Sequence, residues 1–431
     1  MADLLALSSR IIDEGVAQEP VNRITQELSE LGEDLAVIES FSHVISFRTE
    51  DGLVLFDTSG VQTGEAVLES LRTWSDDRLH TFVYTHGHVD HVGGAGAFVS
   101  HEQARGHPVP RVVGHENVAT RFDRYRTTNG YNLTINDRQF GGLRGMFENL
   151  SIGGERSFLP ATTPTPDTTF EDRLSLRVGS LDIQLRHAKG ETDDHLWAWL
   201  PERKIICAGD FFIWNFPNAG NPQKVQRYPV EWAAAMREMA GMGAELFVPA
   251  HGLPIEGADR IRRALGEVVG ALETVIHGTL EMMNAGEPLD RIIHEVRVPG
   301  EVLAKPYLRP LYDEPEFVVR NIWRLYGGWY DGNPARLKPA PDAALARELA
   351  RLVGGVAALV QRAEELADSA EWRLASHLVE MAVQAEPEDK SAHATRADIY
   401  KRRRKQEASL MAKGIFGYAA RQSAAIAFDG E

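Results

Sequence analysis

The sequence predicts an α/β fold followed by an all-α region, and three observations support this prediction. Up to about residue 285, short apolar runs punctuated by glycine and proline alternate with helical patterns. Residues 345–424 repeat Ala, Leu, Glu and Arg at helical spacing. The 431 residues exceed the usual size of one domain. We therefore expect two domains.

The apolar patterns assign the elements in order. Residues 43–47 and 53–56 are predicted to pair as strands around a turn at 50–52, because alternating apolar residues flank an Asp-Gly pair. A helix over 65–74 and a strand over 79–85 follow. The later predicted elements are strands at 174–178, 181–186, 196–200 and 204–208, a helix at 231–242, a strand at 245–249 and a helix at 258–285.

Residues 101–170 are the least regular part of the sequence. They contain polar stretches, several glycines and Thr-Pro pairs, which are typical of loops. Because long loops usually carry function, the segments 121–125 and 129–132 are expected in a functional loop.

Beyond a proline-containing bridge at residues 334–341 the sequence is almost wholly helical. Segments 372–382 and 392–402 resemble one helical-hairpin repeat. One hairpin is too short for a solenoid, so we expect an interaction or dimerisation surface here.

Composition limits the classes of partner. A formal charge of −16 argues against general binding to nucleic acids or anionic membranes, because phosphate contacts require a basic face. The basic run at 401–405 is predicted to be a solvated helix face. The sequence shows no signal-peptide pattern and no apolar run of membrane-spanning length, which predicts a cytoplasmic protein. The single cysteine, Cys207, lies in an apolar run and is expected to be buried.

Four metal-binding side chains fall within six residues directly after an apolar run: His86, His88, Asp90 and His91. In an extended segment His86 and His88 project to the same side, and the other two follow where the chain turns. The glycines at 93–96 would let a helix begin close to this cluster. The pattern indicates a dinuclear metal site. Zinc is the default ion for such ligands, although iron or manganese would accept them.

Further metal-binding side chains follow later predicted strands. Glu191, Asp193, Asp194 and His195 lie in one turn, Asp210 follows the strand at 204–208, and His251 follows the strand at 245–249. A dinuclear site requires additional ligands of this kind.

The His-x-His-x-Asp-His motif, the glycine turn, a strand-end aspartate and a later His-Gly together resemble the metallo-β-lactamase superfamily over residues 35–255. The resemblance implies an αββα sandwich with two metal ions at one edge. It assigns His86 and His88 to the first ion, Asp90, His91 and His251 to the second, and Asp210 to a bridging position.

The third turn departs from the usual superfamily pattern. Where Pro-Gly-His-Thr is usual, residues 189–192 read Lys-Gly-Glu-Thr, which puts Glu191 at the position of the first ion's third ligand. Alkyl sulfatases of the superfamily are similar, since they carry a carboxylate there. His187 and His195 are the competing ligands, and His187 is expected to support a ligand rather than bind metal.

A second resemblance covers the helical part. Residues 320–334 resemble the signature between the catalytic and dimerisation domains of alkyl sulfatases, and residues 373–389 are similar to that family's dimerisation helices. This implies a catalytic domain at 1–285, a dimerisation domain at 286–431 and a homodimer. The signature's aromatic residues are expected to pack between the domains. No sterol-carrier-like domain of larger alkyl sulfatases is expected, which suits a shorter or different substrate.

Together the resemblances imply a zinc-dependent hydrolase of alkyl sulfate esters, in which a hydroxide bridging two metal ions attacks the ester. Asp90 and Asp210 are the candidate catalytic residues. The main alternative is another hydrolase on this scaffold, such as a lactonase, thioesterase or phosphodiesterase, because fold and metals do not fix the bond cleaved. A non-catalytic interaction protein is a second alternative.

Formal charge adds a constraint. Two zinc ions carry four positive charges, which three carboxylates and a hydroxide would cancel. An anionic ester would then need cations or hydrogen-bond donors from the protein. The candidate substrate-binding residues are Tyr131, Arg138, Asn218, Lys224 and Arg227.

Overall fold

The computed structural model describes residues 3–140, 151–152 and 155–428, and most of its strands form two sheets. The strands are β1 Leu28–Gly32, β2 Leu35–Ile38, β3 Val44–Thr49, β4 Gly52–Phe56, β5 Leu79–Val83, β6 Arg111–His115, β7 Ser151–Ile152, β8 Glu155–Arg156, β9 Thr168–Phe170, β10 Arg173–Val178, β11 Leu181–His187, β12 Leu196–Leu200, β13 Ile205–Gly209, β14 Leu246–Pro249 and β15 Ile255–Glu256. The first sheet has the order β1-β2-β3-β4-β5-β6-β9, and the second runs from β10 to β15 in sequence order. Strands β7 and β8 pair with each other.

Helices flank the sheets and make up the C-terminal part. They are α1 Leu4–Glu14, α2 Gly64–Trp74, α3 Val89–Val92, α4 Ala95–Ala104, α5 Asn117–Thr127, α6 Asn129–Gln139, α7 Pro229–Gly241, α8 Ala258–Asn284, α9 Leu289–Glu295, α10 Gly300–Leu303, α11 Pro315–Gly327, α12 Asp342–Val353, α13 Val356–Asp368, α14 Trp372–Ala385, α15 Lys390–Gln406 and α16 Leu410–Phe428, with a 3-10 turn at Pro334–Arg336. Among the described helices, none has the length and apolar character to cross a bilayer.

The two sheets face each other across an apolar core. Phe47 and Phe56 of the first sheet meet Ile183 and Leu185 of the second. Helices α2, α4 and α5 cover the outer face of the first sheet, and α7 and α8 cover that of the second. The central strands β4, β12 and β13 are buried on both faces, which explains why they are almost wholly apolar. The αββα sandwich is therefore confirmed, and so is the helical region that follows it.

The predicted strands and helices up to residue 285 are confirmed outside residues 101–170. The predicted hairpin is β3 and β4, which pair antiparallel with Thr49 opposite Gly52. Gly52 has φ of 123°, a backbone conformation that favours glycine, so the Asp-Gly pair was a reliable signal. Strand β5 ends at Val83, directly before the histidine cluster, and Cys207 is buried in β13.

The prediction of an irregular loop over residues 101–170 is wrong in its first half. Helices α5 and α6 cover the segments 121–125 and 129–132. Val118, Phe122 and Tyr125 are buried on one face of α5, at spacings of four and three residues. Their burial against the first sheet outweighs the weak helix propensity of the polar residues around them. Residues 141–150 of this region lie outside the described residues.

Of the aromatic residues in the 320–334 signature, Trp323 packs against the apolar core that includes α7 and α8, whereas Trp329 and Tyr330 do not pack between domains in the single chain. Trp329 is 70% exposed and Tyr330 is 38% exposed. The physical reason is that α11 ends at Gly327, and Gly328 then takes φ of 79°, so the residues that follow lie at the surface.

The basic run at 401–405 lies on α15 and is not wholly solvated. Arg402 donates to Asp368 at 2.9 Å. Arg403 lies 4.2 Å from the ring centre of Phe416 in α16. Two cations of the run therefore hold neighbouring helices together.

Helix α16 crosses α6 at Gly414, where the two backbones come into close contact. A Cβ at Gly414 would overlap the backbone carbonyl of Gln139. This glycine is needed for the close approach and joins the C-terminal helices to the first sheet's helical layer.

We expect Gly414→Ala to lower the free energy of unfolding by about 1–3 kcal/mol, because the added methyl overpacks the helix crossing. The matched control is Gly266→Ala on the exposed face of α8, where a Cβ meets no atom within 4 Å. There helix propensity should raise stability by up to about 1 kcal/mol. Thermal unfolding of both variants measures the difference. Shifts of the same sign and size would contradict the close packing at Gly414.

Candidate metal centre

Seven side chains converge at one edge of the sandwich: His86, His88, Asp90, His91, Glu191, Asp210 and His251. The first four follow β5, either directly or within α3. The last three follow β11, β13 and β14. Because β11 and β13 are both antiparallel to β12, and β13 is parallel to β14, these three strands end at the same edge. The structure thus brings together all the predicted metal ligands.

Asp210 is the central member of this cluster. Its Oδ1 lies 3.4 Å from His91 Nε2 and 3.5 Å from His251 Nε2. Its Oδ2 lies 4.0 Å from His86 Nε2. Asp90 Oδ2 lies 3.5 Å from the same nitrogen of His251. On the other side of Asp210, His88 Nδ1 lies 2.9 Å from His86 Nε2 and 3.7 Å from Glu191 Oε1.

The donor atoms fit divalent metal ions. His91 Nε2 and Asp210 Oδ1 are buried without a hydrogen-bond partner, and their separation of 3.4 Å is about the span of two 2.1 Å zinc bonds at a tetrahedral angle. Burial lowers the pKa of His86 and of His88, which keeps both imidazoles in the neutral form that binds metal. A mixture of imidazole and carboxylate ligands suits zinc.

Asp57 fixes the orientation of His91. Its Oδ2 lies 2.7 Å from His91 Nδ1, which leaves Nε2 directed at the cluster. Asp57 also accepts from the backbone N–H and the hydroxyl of Thr85, each at 2.7 Å. A carboxylate behind a metal-binding histidine sets its tautomer and raises its basicity. Asp57 was not predicted from the sequence, although Asp57, like the metal ligands, directly follows a predicted strand.

Arg121 holds the loop that carries His86 and His88. Its Nε donates to Asp194 at 2.7 Å, and its Nη2 also pairs with Asp193. Asp194 in turn accepts from the backbone N–H of Gly87 at 3.0 Å. Arg121 lies on α5, and Asp193 and Asp194 lie in the turn after β11, so these ion pairs and the Gly87 contact tie α5 to the metal-binding loop. Sequence reasoning missed Arg121 because it placed this segment in a loop.

Glu191 lies in a cationic environment. Arg227 is 1% exposed and its Nη1 lies 2.8 Å from Glu191 Oε1. Asn218 donates to the same oxygen. Burial raises the pKa of Glu191 to about 8, against the lowering effect of Arg227. Two of the predicted substrate-binding residues, Asn218 and Arg227, are thus engaged in orienting this carboxylate.

The two competing histidines take other positions. His187 Nδ1 donates to the His195 carbonyl oxygen at 2.8 Å, and the His187 ring stacks on that of His115 with 3.8 Å between the ring centres. His195 accepts from the backbone N–H of Asp210 at 3.1 Å and stacks on Phe211 at 4.1 Å. Glu191 lies in one ligand group with His86 and His88, whereas His187 and His195 belong to none of the ligand groups among the described residues.

A cavity of about 950 Å³ opens onto the cluster. Its wall includes four predicted substrate-binding residues: Tyr131, Asn218, Lys224 and Arg227. The fifth, Arg138, is not part of the described wall, because it lies on another face of α6 beside Gln223 and the ring of Tyr418. Arg124 of α5 lines the cavity instead and was missed by the sequence reasoning.

Lys224, Arg124 and Arg324 are the cations of the wall that form no ion pair among the described residues. Arg324 donates to the neutral Gln226 and Asn321 side chains at 3.0 and 3.2 Å, and Lys224 Nζ donates to the neutral Asn136 side chain at 3.0 Å. Burial and nearby Arg227 lower the pKa of Lys224 to about 7. An anion entering the cavity would relieve this repulsion between cations.

The fold and the cluster define a metal-binding sandwich of the metallo-β-lactamase type. Residues 37–251 match the model of the metallo-beta-lactamase superfamily, and residues 289–425 match that of alkyl sulfatase dimerisation. The chain thus matches both families that its sequence resembles, the metallo-β-lactamase superfamily in its first part and alkyl sulfatase dimerisation in its helical part.

Similar proteins agree with this assignment. A linear primary-alkylsulfatase from Pseudomonas sp. (strain ATCC 19151) is 28% identical over 82% of this chain and 68% of its own length. An (R)-specific secondary-alkylsulfatase from Pseudomonas sp. is 26% identical over 81% of this chain and 55% of its own length. The solved structure of the stereoselective inverting sec-alkylsulfatase Pisa1 from Pseudomonas sp. has a TM-score of 0.81 at 22% identity, covering 92% of this chain and 65% of that chain. The chain is thus similar to only part of each longer protein.

We expect Asp57→Asn to weaken metal binding at the Asp90, His91 and His251 group by about 10- to 100-fold, because His91 loses its orienting carboxylate. Metal content per chain, measured after dialysis against graded chelator, gives the affinity. Asp182→Asn, at a surface carboxylate paired with Arg177, is the matched control. Far-ultraviolet circular dichroism checks folding. Equal metal retention in the two folded variants would contradict the role of Asp57.

Proposed function

We propose that the protein hydrolyses alkyl sulfate esters, using two zinc ions held by the seven converging side chains. The observation that carries the proposal is one cavity that joins a metal centre, uncommitted cations and apolar walls. An alkyl sulfate has an anionic ester head and an apolar tail, and so matches these three features. Similarity to proteins named alkylsulfatases supports the same substrate class.

Each of the two ions would have its own group of ligands. His86, His88 and Glu191 would hold the first, Asp90, His91 and His251 the second, and Asp210 would bridge them. When bound, such ions would lower the pKa of a water molecule, so that hydroxide is available near neutral pH, and would polarise the ester. Asp90 and Asp210 face the cavity, where they accept hydrogen bonds from the attacking water and orient it. Water and ester become an alcohol and hydrogen sulfate.

Arg227 changes the charge balance of the site. Two zinc ions, three carboxylates and a hydroxide sum to zero, but the buried guanidinium beside Glu191 adds one positive charge. The centre then carries a net positive charge and attracts an entering monoanion. This holds although Glu191 is a carboxylate at a position where the superfamily usually has a histidine. Arg227 acts through Glu191 and need not touch the ester.

The sulfate group itself is assigned to Lys224 and Arg124. Both line the cavity and neither forms an ion pair among the described residues. Charge-assisted hydrogen bonds from such groups are stronger than neutral ones and fix the orientation of an oxyanion. Tyr131 and Asn218 add polar atoms to the same wall.

We further propose a catalytic domain at residues 1–285 and a dimerisation domain at 286–431 that forms a homodimer. The match of residues 289–425 to alkyl sulfatase dimerisation supports this division. Exposed apolar residues on the helical part, such as Trp329 and Leu352, offer surface for a second copy. A cytoplasmic location agrees with a single cysteine that is buried and unpaired.

A substrate panel on zinc-loaded protein tests the proposal against the alternative hydrolases. Sulfate release from primary and secondary alkyl sulfates should exceed the opening of lactones and the cleavage of thioesters and phosphodiesters, and chelation of zinc should abolish it. Preference for any of the other three substrates would contradict the assignment.

We expect Lys224→Ala to lower kcat/KM for alkyl sulfates by about 10- to 100-fold, because a hydrogen bond to a charged group is lost. Lys224→Arg should recover part of this activity, and hydrolysis of a neutral ester should change by less than about twofold. Lys189→Ala, at a cation beside the ring of Tyr228, is the control. Equal losses on neutral and anionic esters would refute the assignment of Lys224 to the sulfate.

A further inference from the structure

The outer part of the cavity is lined by large apolar side chains that are exposed to solvent. These are Ile24, Tyr131, Val225, Leu311 and Leu410. Isolated exposed apolar residues are ordinary, but several around one cavity mark a surface that contacts an apolar partner. They come from parts of the chain that are far apart in sequence, so the fold has assembled this surface.

Two of these residues belong to the part that matches alkyl sulfatase dimerisation. Leu311 precedes α11, and Leu410 is the first residue of α16. Leu410 N–H donates to the Leu311 carbonyl at 2.8 Å, and the Ser409 hydroxyl donates to the Tyr312 carbonyl at 2.7 Å. Because the contact between Leu410 and Leu311 joins two backbone groups, it does not depend on the side chains of these two residues.

Helix α6 forms the opposite part of the same wall. It carries Tyr131 and Ile135 into the cavity, and α16 packs on it at Gly414. The start of α16 is therefore fixed against both the segment before α11 and the helix that faces the site. The two parts of the chain share one rigid wall.

Large apolar side chains are concentrated in the outer part of the cavity. The inner part presents Asp90, Glu191 and Lys224, while the outer part presents the five apolar residues beside the polar Asn22 and Arg324. An amphiphile with an anionic head can satisfy both parts in one orientation, with its head at the metal centre and its tail against the outer wall. The opposite orientation would bury the tail among charges, which is unfavourable.

We propose that the C-terminal helical part forms the outer wall of the substrate cavity, and that Leu410 determines how activity depends on the length of the alkyl chain. This inference rests on the proposed function, since it takes the tail of an alkyl sulfate as the occupant. The tail contacts the outer wall only when it is long enough to extend beyond the inner polar part, so short substrates should be indifferent to Leu410.

The test is a chain-length series of primary alkyl sulfates from butyl to dodecyl, each assayed below its micellar concentration. For the unaltered protein kcat/KM should rise by about two- to fourfold per methylene over the longer members, as expected for burial of methylenes against an apolar wall. Leu410→Asp should lower kcat/KM for decyl sulfate by about tenfold and change that for butyl sulfate by less than about twofold.

Val109→Asp is the matched control, because Val109 is 53% exposed before β6, lies outside the C-terminal helices and is not part of the described cavity wall. It should leave the whole series unchanged. Equal loss at every chain length in Leu410→Asp, or no loss at any, would overturn the inference. So would a change in oligomeric state by light scattering that accounts for the loss, since a second copy would then be the occupant.

Binding of alkyl sulfonates by titration calorimetry separates this inference from the proposed function. If no alkyl sulfate is hydrolysed by the unaltered zinc-loaded protein, the proposed function fails. The dissociation constants of butyl and decyl sulfonate then test the wall alone. Leu410→Asp should weaken decyl sulfonate binding by about tenfold and leave butyl sulfonate unchanged, and an equal effect on both would refute the role of Leu410.

Discussion

The concentration of negative charge at one edge of the sandwich is the constraint on which the rest of the structure depends. Asp90, Glu191 and Asp210 all face one another within a largely buried cluster. Buried carboxylates are strongly unfavourable unless cations lie beside them. His251 meets two of them, and Arg227 meets the third. Arg227 compensates part of the charge, and divalent ions would supply the remainder, since His251 binds such an ion only as the neutral imidazole.

The same constraint requires that the ligands be held in fixed positions, because a buried charge that moves away from its oppositely charged partner is no longer stabilised by it. Asp57 holds His91 from within the first sheet, and the Arg121–Asp194 pair holds the loop of His86 and His88 from α5. Neither support faces the cavity. The protein thereby separates two tasks: groups behind the ligands fix the metal centre, and groups in the cavity wall are left to meet the substrate.

The sequence was sufficient to predict what depends on local pattern. Strand ends carry the metal ligands, so a short motif and a few strands located His86 to His91, Asp210 and His251. It was insufficient wherever the outcome depended on contacts between distant segments. Arg121 and Arg124 lie on a helix whose polar residues suggested a loop, and only burial of Phe122 against the sheet makes it helical. The sequence analysis proposed Arg138 and not Arg124 for substrate binding. Their positions on α6 and α5 decide that, of these two, only Arg124 lines the cavity.

Because different residues hold the metal centre and contact the substrate, substrate preference can change without a change in the metal ligands. Arg227 pairs with Glu191 through Nη1, so its replacement would disturb the metal centre as well as any anion nearby. Lys224 bonds to a neutral amide and Leu410 lies 40% exposed at the start of a helix, so both can be replaced with little effect on that centre. Head-group and tail recognition can therefore vary independently of the metal ligands. Because Leu410 comes from the helical part, a change in how that part packs on α6 would alter the tail-binding wall while the chemistry stayed the same.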